Sequence, residues 1–327
     1  MLQELDINVI NSNAERGKQV MTRKSNQKKS RKLWLKIPLI LIGVIVLGVG
    51  AYAISIYNNV AKTVNEKMHE PVDSIDRETT KKKMKATEKL TILLLGIDSQ
   101  EGTSGRSDAL MVLSLDPTDD SMQLISIPRD TRTTIVGKGT EDKINHAHAF
   151  GGTDMSIATV ENLLDIELDY YVRMNMDGLS ELVDELGTIT VDNEIAWNDG
   201  TNNFNVGPVE LDGDQTMAFV RMRKQDPNGD FGRTSRQRQV IEGIINKGAS
   251  VGSVTKINST IDILGNNMAT NLDFDDMKKL LSGYKDTRNN VVSYQLQGDG
   301  TTIDGIYYLI VTGEEIAKVR GMLEGEV

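Results

Sequence analysis

The feature that most constrains this chain is an uninterrupted apolar run, Ile37–Tyr57 (IPLILIGVIVLGVGAYAISIY), which carries no charge over 21 residues. As a helix rising about 1.5 Å per residue, it matches the roughly 30 Å hydrocarbon core of a bilayer. The 36 residues before it hold nine Lys/Arg against Glu4, Asp6 and Glu15, a net charge of +6. The positive-inside rule keeps such a flank in the cytoplasm and sends everything after Tyr57 outward. A cleaved secretory signal has a shorter apolar region ending at a small-residue site, and none follows Tyr57. The expected organisation is a basic cytoplasmic tail (1–36), a transmembrane signal anchor (37–57), a polar extracytoplasmic stalk (58–89) and a folded domain (90–327).

Charge and cysteine content narrow the classes further. The whole chain is at −10, so residues 37–327 are at −16. The basic tail is accounted for by orientation and by attraction to anionic lipid headgroups. It carries no helix-turn-helix pattern, and no nucleic-acid partner is expected. The absence of cysteine excludes disulfides, thiolate metal sites and cysteine nucleophiles.

Within the folded domain, three short runs rich in Leu, Ile and Val (Leu90–Gly96, Ala109–Asp116, Met122–Ile127) read as buried strands. Helical spacing marks Thr153–Leu164, Gly178–Leu186 (closed by Gly187), a helix N-capped by Asp212 through Arg221, and Thr234–Lys247 closed by Gly248. Further helices are expected over Val254–Leu264, Phe274–Leu281 and Glu314–Leu323, with strands at Tyr170–Met176, Thr188–Val191 and Val291–Leu296. Strands mixed with amphipathic helices predict an α/β fold, a central mixed sheet with helices on both faces.

Charged residues of both signs collect at the strand ends. Asp98, Arg106 and Asp108 fall between the first two strands, and Arg129 and Asp130 follow the third. Arg221 and Arg223 end one helix and Arg233 opens the next, with Gln237 four residues on along the same face. The planar fork of arginine suits phosphate oxygens, so Arg106, Arg129, Arg221, Arg223 and Arg233 are candidates to converge on one anion. The alternative is surface pairing with the abundant Asp and Glu. Asp98 and Asp108 flank a Gly/Ser-rich loop and are candidate ligands for a hard cation, Mg²⁺ or Mn²⁺, shared with substrate phosphates; alternatively they cap turns. No Walker A loop is present. His146 and His148 lack a third ligand at zinc spacing and read as structural.

GIDS at Gly96–Ser99, RSDALM at Arg106–Met111, SIPRDT at Ser126–Thr131 and KINHAHAFGG at Lys143–Gly152 closely resemble the LytR-CpsA-Psr family. So do TVENLL, LVDELG, AFVRMR and GDFGRTSRQRQV, in order across Leu90–Ala249, together with the tail and anchor upstream. One departure is Thr188, where the family often has a second glycine. The resemblance implies an extracytoplasmic phosphotransferase that takes an anionic glycopolymer (teichoic acid or capsular polysaccharide) from an undecaprenyl-diphosphate carrier. The polymer is then joined through a phosphodiester to N-acetylmuramic acid of peptidoglycan, at the cell membrane of a Gram-positive-type bacterium. Carried over by residue, Asp98 and Asp108 take the metal positions, and Arg106, Arg129, Arg221, Arg223, Arg233 and Gln237 the diphosphate positions. Asp98 and Arg129 are the expected catalytic pair, with Asp98 or Asp130 as the group receiving the acceptor's proton. An apolar tunnel between sheet and helices is implied for the isoprenoid. Two other readings are a membrane-bound transcription attenuator working through the tail, and a non-catalytic prenyl-diphosphate-binding module.

Overall fold

The computed structural model describes residues 30–98, 105–250 and 256–325, with the side chains of 30–46 and 249–250 outside the description. The chain runs α1 (Ser30–Thr63), a π-helical turn (Val64–Met68), α2 (Arg77–Ala86), β1 (Leu90–Ile97), β2 (Ser107–Asp116), β3 (Ser121–Ser126), β4 (Arg132–Ile135) and β5 (Thr140–Lys143). Next come α3 (His146–Leu164), β6 (Tyr170–Asn175), α4 (Met176–Leu186), β7 (Ile189–Asn193), β8 (Trp197–Asn198), β9 (Asn203–Phe204) and β10 (Gly207–Leu211). The last third holds α5 (Gly213–Arg221), α6 (Asp230–Ser250), α7 (Ile257–Asn267), β11 (Met268–Thr270), α8 (Phe274–Gly283), β12 (Asn290–Gln295), β13 (Asp299–Ile303), β14 (Ile306–Ile310) and α9 (Gly313–Glu324).

Six strands form the central sheet in the order β11-β6-β1-β2-β3-β12. It is mixed: β1 is parallel to β6 and β3 to β12, while the other neighbours are antiparallel. Both faces are covered, which is why β1 reads as a continuous apolar run rather than an alternation. Leu93, Leu95 and Ile97 turn towards Ile157, Val160 and Leu164 of α3 and Val319 of α9. Leu90 and Ile92 turn the opposite way, into a cluster with Met84 of α2, Tyr170 and Tyr284. A third cluster joins α4, α5 and α6 through Val183, Phe219 and Val240. Asp212 caps α5 through a reciprocal capping box with Gln215, the device that terminal N–H groups require.

Three expectations are corrected. The segment 58–89 is not a free stalk, since the compact unit starts at Ile56. Val64 and Met68 are fully buried, and Ile75 and Met84 nearly so. Burial at these positions contributes about 1.5–3 kcal/mol per side chain, enough to hold a polar-looking segment down. Asp76 caps α2 by accepting from the Glu78 and Thr79 amides. Second, α6 begins at Asp230 rather than Thr234 and runs past Gly248. Third, α3 carries a turn before Thr153, broken by non-helical Gly151 and Gly152. The uncharged run lies within α1, whose residues 37–46 are outside the described side chains. Among the described residues no helix is long and apolar enough to cross a membrane.

Candidate functional site

The site is built at the junction of β1 and β2. Their register slips between Gly96 and Ile97, which pair with Ala109 and Ser107. Asp108 is the extra residue of this bulge, a device that re-aims a side chain at a sheet's rim. Gly96 makes the close approach possible, because a β-carbon there would sit 2.9 Å from Ala109 Cβ.

Arg129, one residue beyond Pro128 at the end of β3, reaches back to this bulge. Its Nη1 donates to Asp108 Oδ1 at 3.1 Å, and the Asn145 amide approaches the same oxygen at 3.4 Å. From α6, Arg233 Nη2 donates to the Asp108 carbonyl at 3.1 Å and lies 3.5 Å from its Oδ2. Asp230 Oδ1 faces three guanidinium groups: Arg129 Nη2 at 3.3 Å, Arg233 Nη1 at 3.4 Å and Arg223 Nε at 3.9 Å. Asp130 is clamped by Lys143 Nζ at 2.5 Å and lies 3.9 Å from Arg129 Nε.

Cations outnumber the acids that hold them. Arg129, Arg221, Arg223, Arg233 and Lys143 meet Asp98, Asp108, Asp130 and Asp230, in a domain that is otherwise strongly acidic. Arg129 Nε is buried without a hydrogen-bond partner. Burial works against the Arg129 charge, but Asp108 and then Asp230 outweigh it and hold its pKa above the ordinary arginine value. Arg233 moves the other way, through burial and then the neighbouring Arg129 charge. A further anion would relieve that repulsion and use the idle donors.

The remaining expected residues sit around this centre. Arg221 Nη2 lies 4.0 Å from Asp98 Oδ1, both side chains being largely exposed. Arg223 is likewise more than half exposed, at 55% of its side chain. Arg106 is exposed and, among the described residues, makes no ion pair; its carbonyl accepts from the Asp98 amide at 3.4 Å. Gln237, one turn after Arg233 on α6, is buried with its Nε2 unpartnered. With Asn175 it is one of two polar residues lining a predominantly apolar cavity of about 120 Å³ walled by Leu94, Met111, Val172, Leu179 and Val240.

Asp98 and Asp108 have the donor chemistry a hard cation takes and share one rim, Asp108 following the Arg106–Ser107 stretch that pairs with Ile97 and Asp98. Among the described residues no third acid or histidine joins them, and two carboxylates leave coordination positions for phosphate and water. The histidines have structural partners. His148 donates from Nδ1 to the Gly105 carbonyl at 2.9 Å, and His146 pairs with Asp142 at 2.8 Å. Asp230, Lys143 and Asn145 join the cluster although the sequence reading passed over them. Asp230 could have been found from its position three residues ahead of Arg233; Lys143 and Asn145 stood in a motif read only for its histidines.

Comparison with known proteins agrees with this architecture. The family model described as the LytR_cpsA_psr family matches residues 54–324. The polyisoprenyl-teichoic acid–peptidoglycan teichoic acid transferase TagU of Bacillus licheniformis is 44% identical over 302 residues, covering 92% of this chain and 98% of the relative. The crystal structure of B. subtilis TagU superposes with a TM-score of 0.61 at 41% identity, over 73% of this chain and 96% of that one. A structure of TagT bound to LIIa-WTA superposes at 0.63 with 31% identity, over 80% and 95% of the two chains. With a match across most of its length, this chain belongs to the LytR-CpsA-Psr family.

Proposed function

We propose that this protein is a membrane-anchored transferase moving a teichoic-acid-type glycopolymer from a polyprenyl diphosphate to peptidoglycan. The observation that carries the reading is continuity along α6. The surplus-cation cluster around Arg129 and Arg233 passes within one helical turn, through the unpartnered Gln237 amide, into an apolar cavity. A diphosphate with an isoprenoid on one side has this succession of charge, hydrogen-bond acceptor and hydrocarbon. The relatives named as transferases from polyisoprenyl carriers support the same substrate class.

In this mechanism the acceptor hydroxyl oxygen attacks the phosphorus that bears the glycan. The bond from that phosphorus to the bridging oxygen breaks, the hydroxyl proton passes to Asp98 or Asp130, and polyprenyl monophosphate leaves. Little covalent help is needed, so positioning and charge stabilisation dominate. Arg129 and Arg233, locked by Asp108 and Asp230, present fixed donors to the transferred phosphate. Arg221 and Arg223 are exposed enough to close on the leaving phosphate, and Gln237 orients the bridge towards the cavity. Mg²⁺ or Mn²⁺, held by Asp98 and Asp108, would supply Lewis-acid neutralisation of the diphosphate. The uncharged run of α1 serves as the membrane anchor, bringing the site to a lipid-borne substrate on the outer face.

The test is transfer by the full chain in mixed micelles, from a prenyl-diphosphate-linked glycan to peptidoglycan fragments, with and without chelator. Transfer by the unaltered protein and its loss in Asp98→Ala and Arg129→Ala are expected. Full transfer by either variant would overturn the residue roles, and no transfer from any prenyl-diphosphate glycan would overturn the function.

A further inference from the structure

A groove of mixed lining continues from the arginine cluster through Asp130, Arg223 and Phe231, none of which lines the apolar cavity. Its first part, about 280 Å³, is walled by Asp130, Arg223, Asp230 and Tyr307. Its second part, about 370 Å³, is walled by Glu194, Arg238, Gln295 and Gln297. Asn228 and Phe231 line both, so the two parts are consecutive.

Resting on the transferase reading, we propose that this groove is the binding track for the acceptor glycan strand, its first part holding the two sugars nearest the reacting hydroxyl and its second part the sugars beyond them. Direction is the first argument. Along α6, Phe231 precedes Arg233, and Gln237 and Val240 follow it towards the apolar cavity. The leaving prenyl phosphate departs towards that cavity. In phosphoryl transfer the incoming and leaving oxygens lie roughly in line, so the acceptor hydroxyl enters from the Phe231 side.

The groove's build is the second argument. Tyr307 is 45% exposed despite its size. Its ring lies across Gly300 on the neighbouring strand, where an added β-carbon would come within 2.7 Å of Oη and 2.9 Å of Cε2. The hairpin β13–β14 carrying it is tied to the site by the Leu309 amide, which donates to the Asp130 carbonyl at 2.9 Å. A rigid aromatic face over a polar cleft suits the apolar face of a sugar ring, whose hydroxyls point sideways to polar groups.

In the second part, Gln295 is only 8% exposed, yet its Nε2 has no partner. Its orientation is fixed, because Oε1 accepts from Arg238 Nη1 at 3.2 Å. A buried amide donor left idle in a cleft is costly unless a ligand acceptor completes it.

Charge selects between the two glycans of the reaction. Beyond the paired cluster at its first end, the charged residues of the groove are Glu194 and Arg238, which balance; such a track lacks the cation surplus that a polymer of repeating phosphates calls for and suits N-acetylated amino sugars.

The test uses the full chain in micelles and peptide-free muramic acid-containing oligosaccharides of two, four and six sugars. Binding is read by calorimetry, and donor hydrolysis to prenyl monophosphate is read separately. Tyr307→Ala is expected to weaken binding of every length about tenfold. Gln295→Ala should weaken the four- and six-sugar chains about tenfold and spare the two-sugar chain. Neither should alter donor KM or acceptor-free hydrolysis. A rise in donor KM that grows with donor glycan length, with acceptor binding unchanged, would overturn the proposal in favour of a donor track. Unchanged binding of all oligosaccharides in both variants would overturn it outright. Failure of the unaltered protein to cleave the donor would count against the transferase reading, while the binding series would still judge the groove.

Discussion

Two arginines three residues apart on α6 have opposite fates. Arg236 is 5% exposed and every nitrogen is engaged: Nε donates to the Phe219 carbonyl at 3.1 Å, Nη1 to Asp226 and Nη2 to the Met222 carbonyl. Gly232 allows this pairing, since a β-carbon there would lie 1.8 Å from Asp226 Oδ2. Arg233, beside it in sequence, shares Asp230 Oδ1 with Arg129 and Arg223. The first is a closed set that ties α5, its following loop and α6 together. The second is an open set with more donors than acceptors. Motif membership does not separate them, because both lie in GDFGRTSRQRQV; saturation of the guanidinium does.

The comparison breaks most visibly in stability. Arg236→Met strands a buried Asp226, which costs about 3–5 kcal/mol from a total of about 5–15 kcal/mol. A fall in Tm of roughly 10 °C is expected by circular dichroism, with activity lost alongside the fold. Arg129→Ala should do the reverse. Asp108 keeps Arg233 and Asn145, so stability shifts by no more than about 1–2 kcal/mol. Transfer should nonetheless fall by about 10²–10³, the usual worth of a preorganised donor at a developing charge. Equal thermal losses in the two variants would erase the distinction. Leu179→Trp, which fills the apolar cavity without touching either arginine, should raise KM for a long-chain prenyl donor while a short-chain prenyl analogue is spared; comparing the two chain lengths reads the effect. Arg221→Ala, at 61% side-chain exposure, should cost only about five- to tenfold in kcat/KM, as expected of one solvated contact worth about 1 kcal/mol.

The central strands were legible because apolar runs covered on both faces leave a plain signal; β1, β2 and β3 fall within two residues of their expected bounds. The same signal fails before Leu90. Val64, Met68, Ile75 and Met84 are single apolar residues among charges, and some of their covering partners lie some two hundred residues downstream: the Val64–Met68 turn packs on α7 and β11, and Met84 clusters with Leu272 and Tyr284. The early start of α6 was hidden by Gly232, which reads as a helix breaker until Asp226 is seen against it. The hairpin β13–β14 was missed although Asp304-Gly305, whose φ values are 51° and 79°, is the dipeptide that suits a two-residue hairpin turn. At the site, the resemblance supplied positions and the structure supplied pairings. Asp230 meets Arg129 across a hundred residues of chain, a relation no spacing rule encodes.

The smallest expected effect concerns what holds the open set's loop in place. His148, 2% exposed, donates to the Gly105 carbonyl beside Arg106, and its Nε2 is buried without a partner. Burial pushes its pKa below the ordinary 6.5, with the hydrogen bond to Gly105 acting weakly against that and the Arg173 charge adding to it. The unfolded chain therefore takes a proton near pH 6.5 that the folded chain refuses. Stability is full above that pH and declines as pH falls through it, by at most about 1.4 kcal/mol per pH unit for one proton. His148→Gln keeps a donor for Gly105 and removes the titration. Urea unfolding of both proteins between pH 5 and 8 should show curves that run parallel above pH 7 and converge towards acid. Parallel curves throughout would mean that His148 protonates in place, and Gly105 and Arg106 would then owe their position to something other than this buried neutral ring.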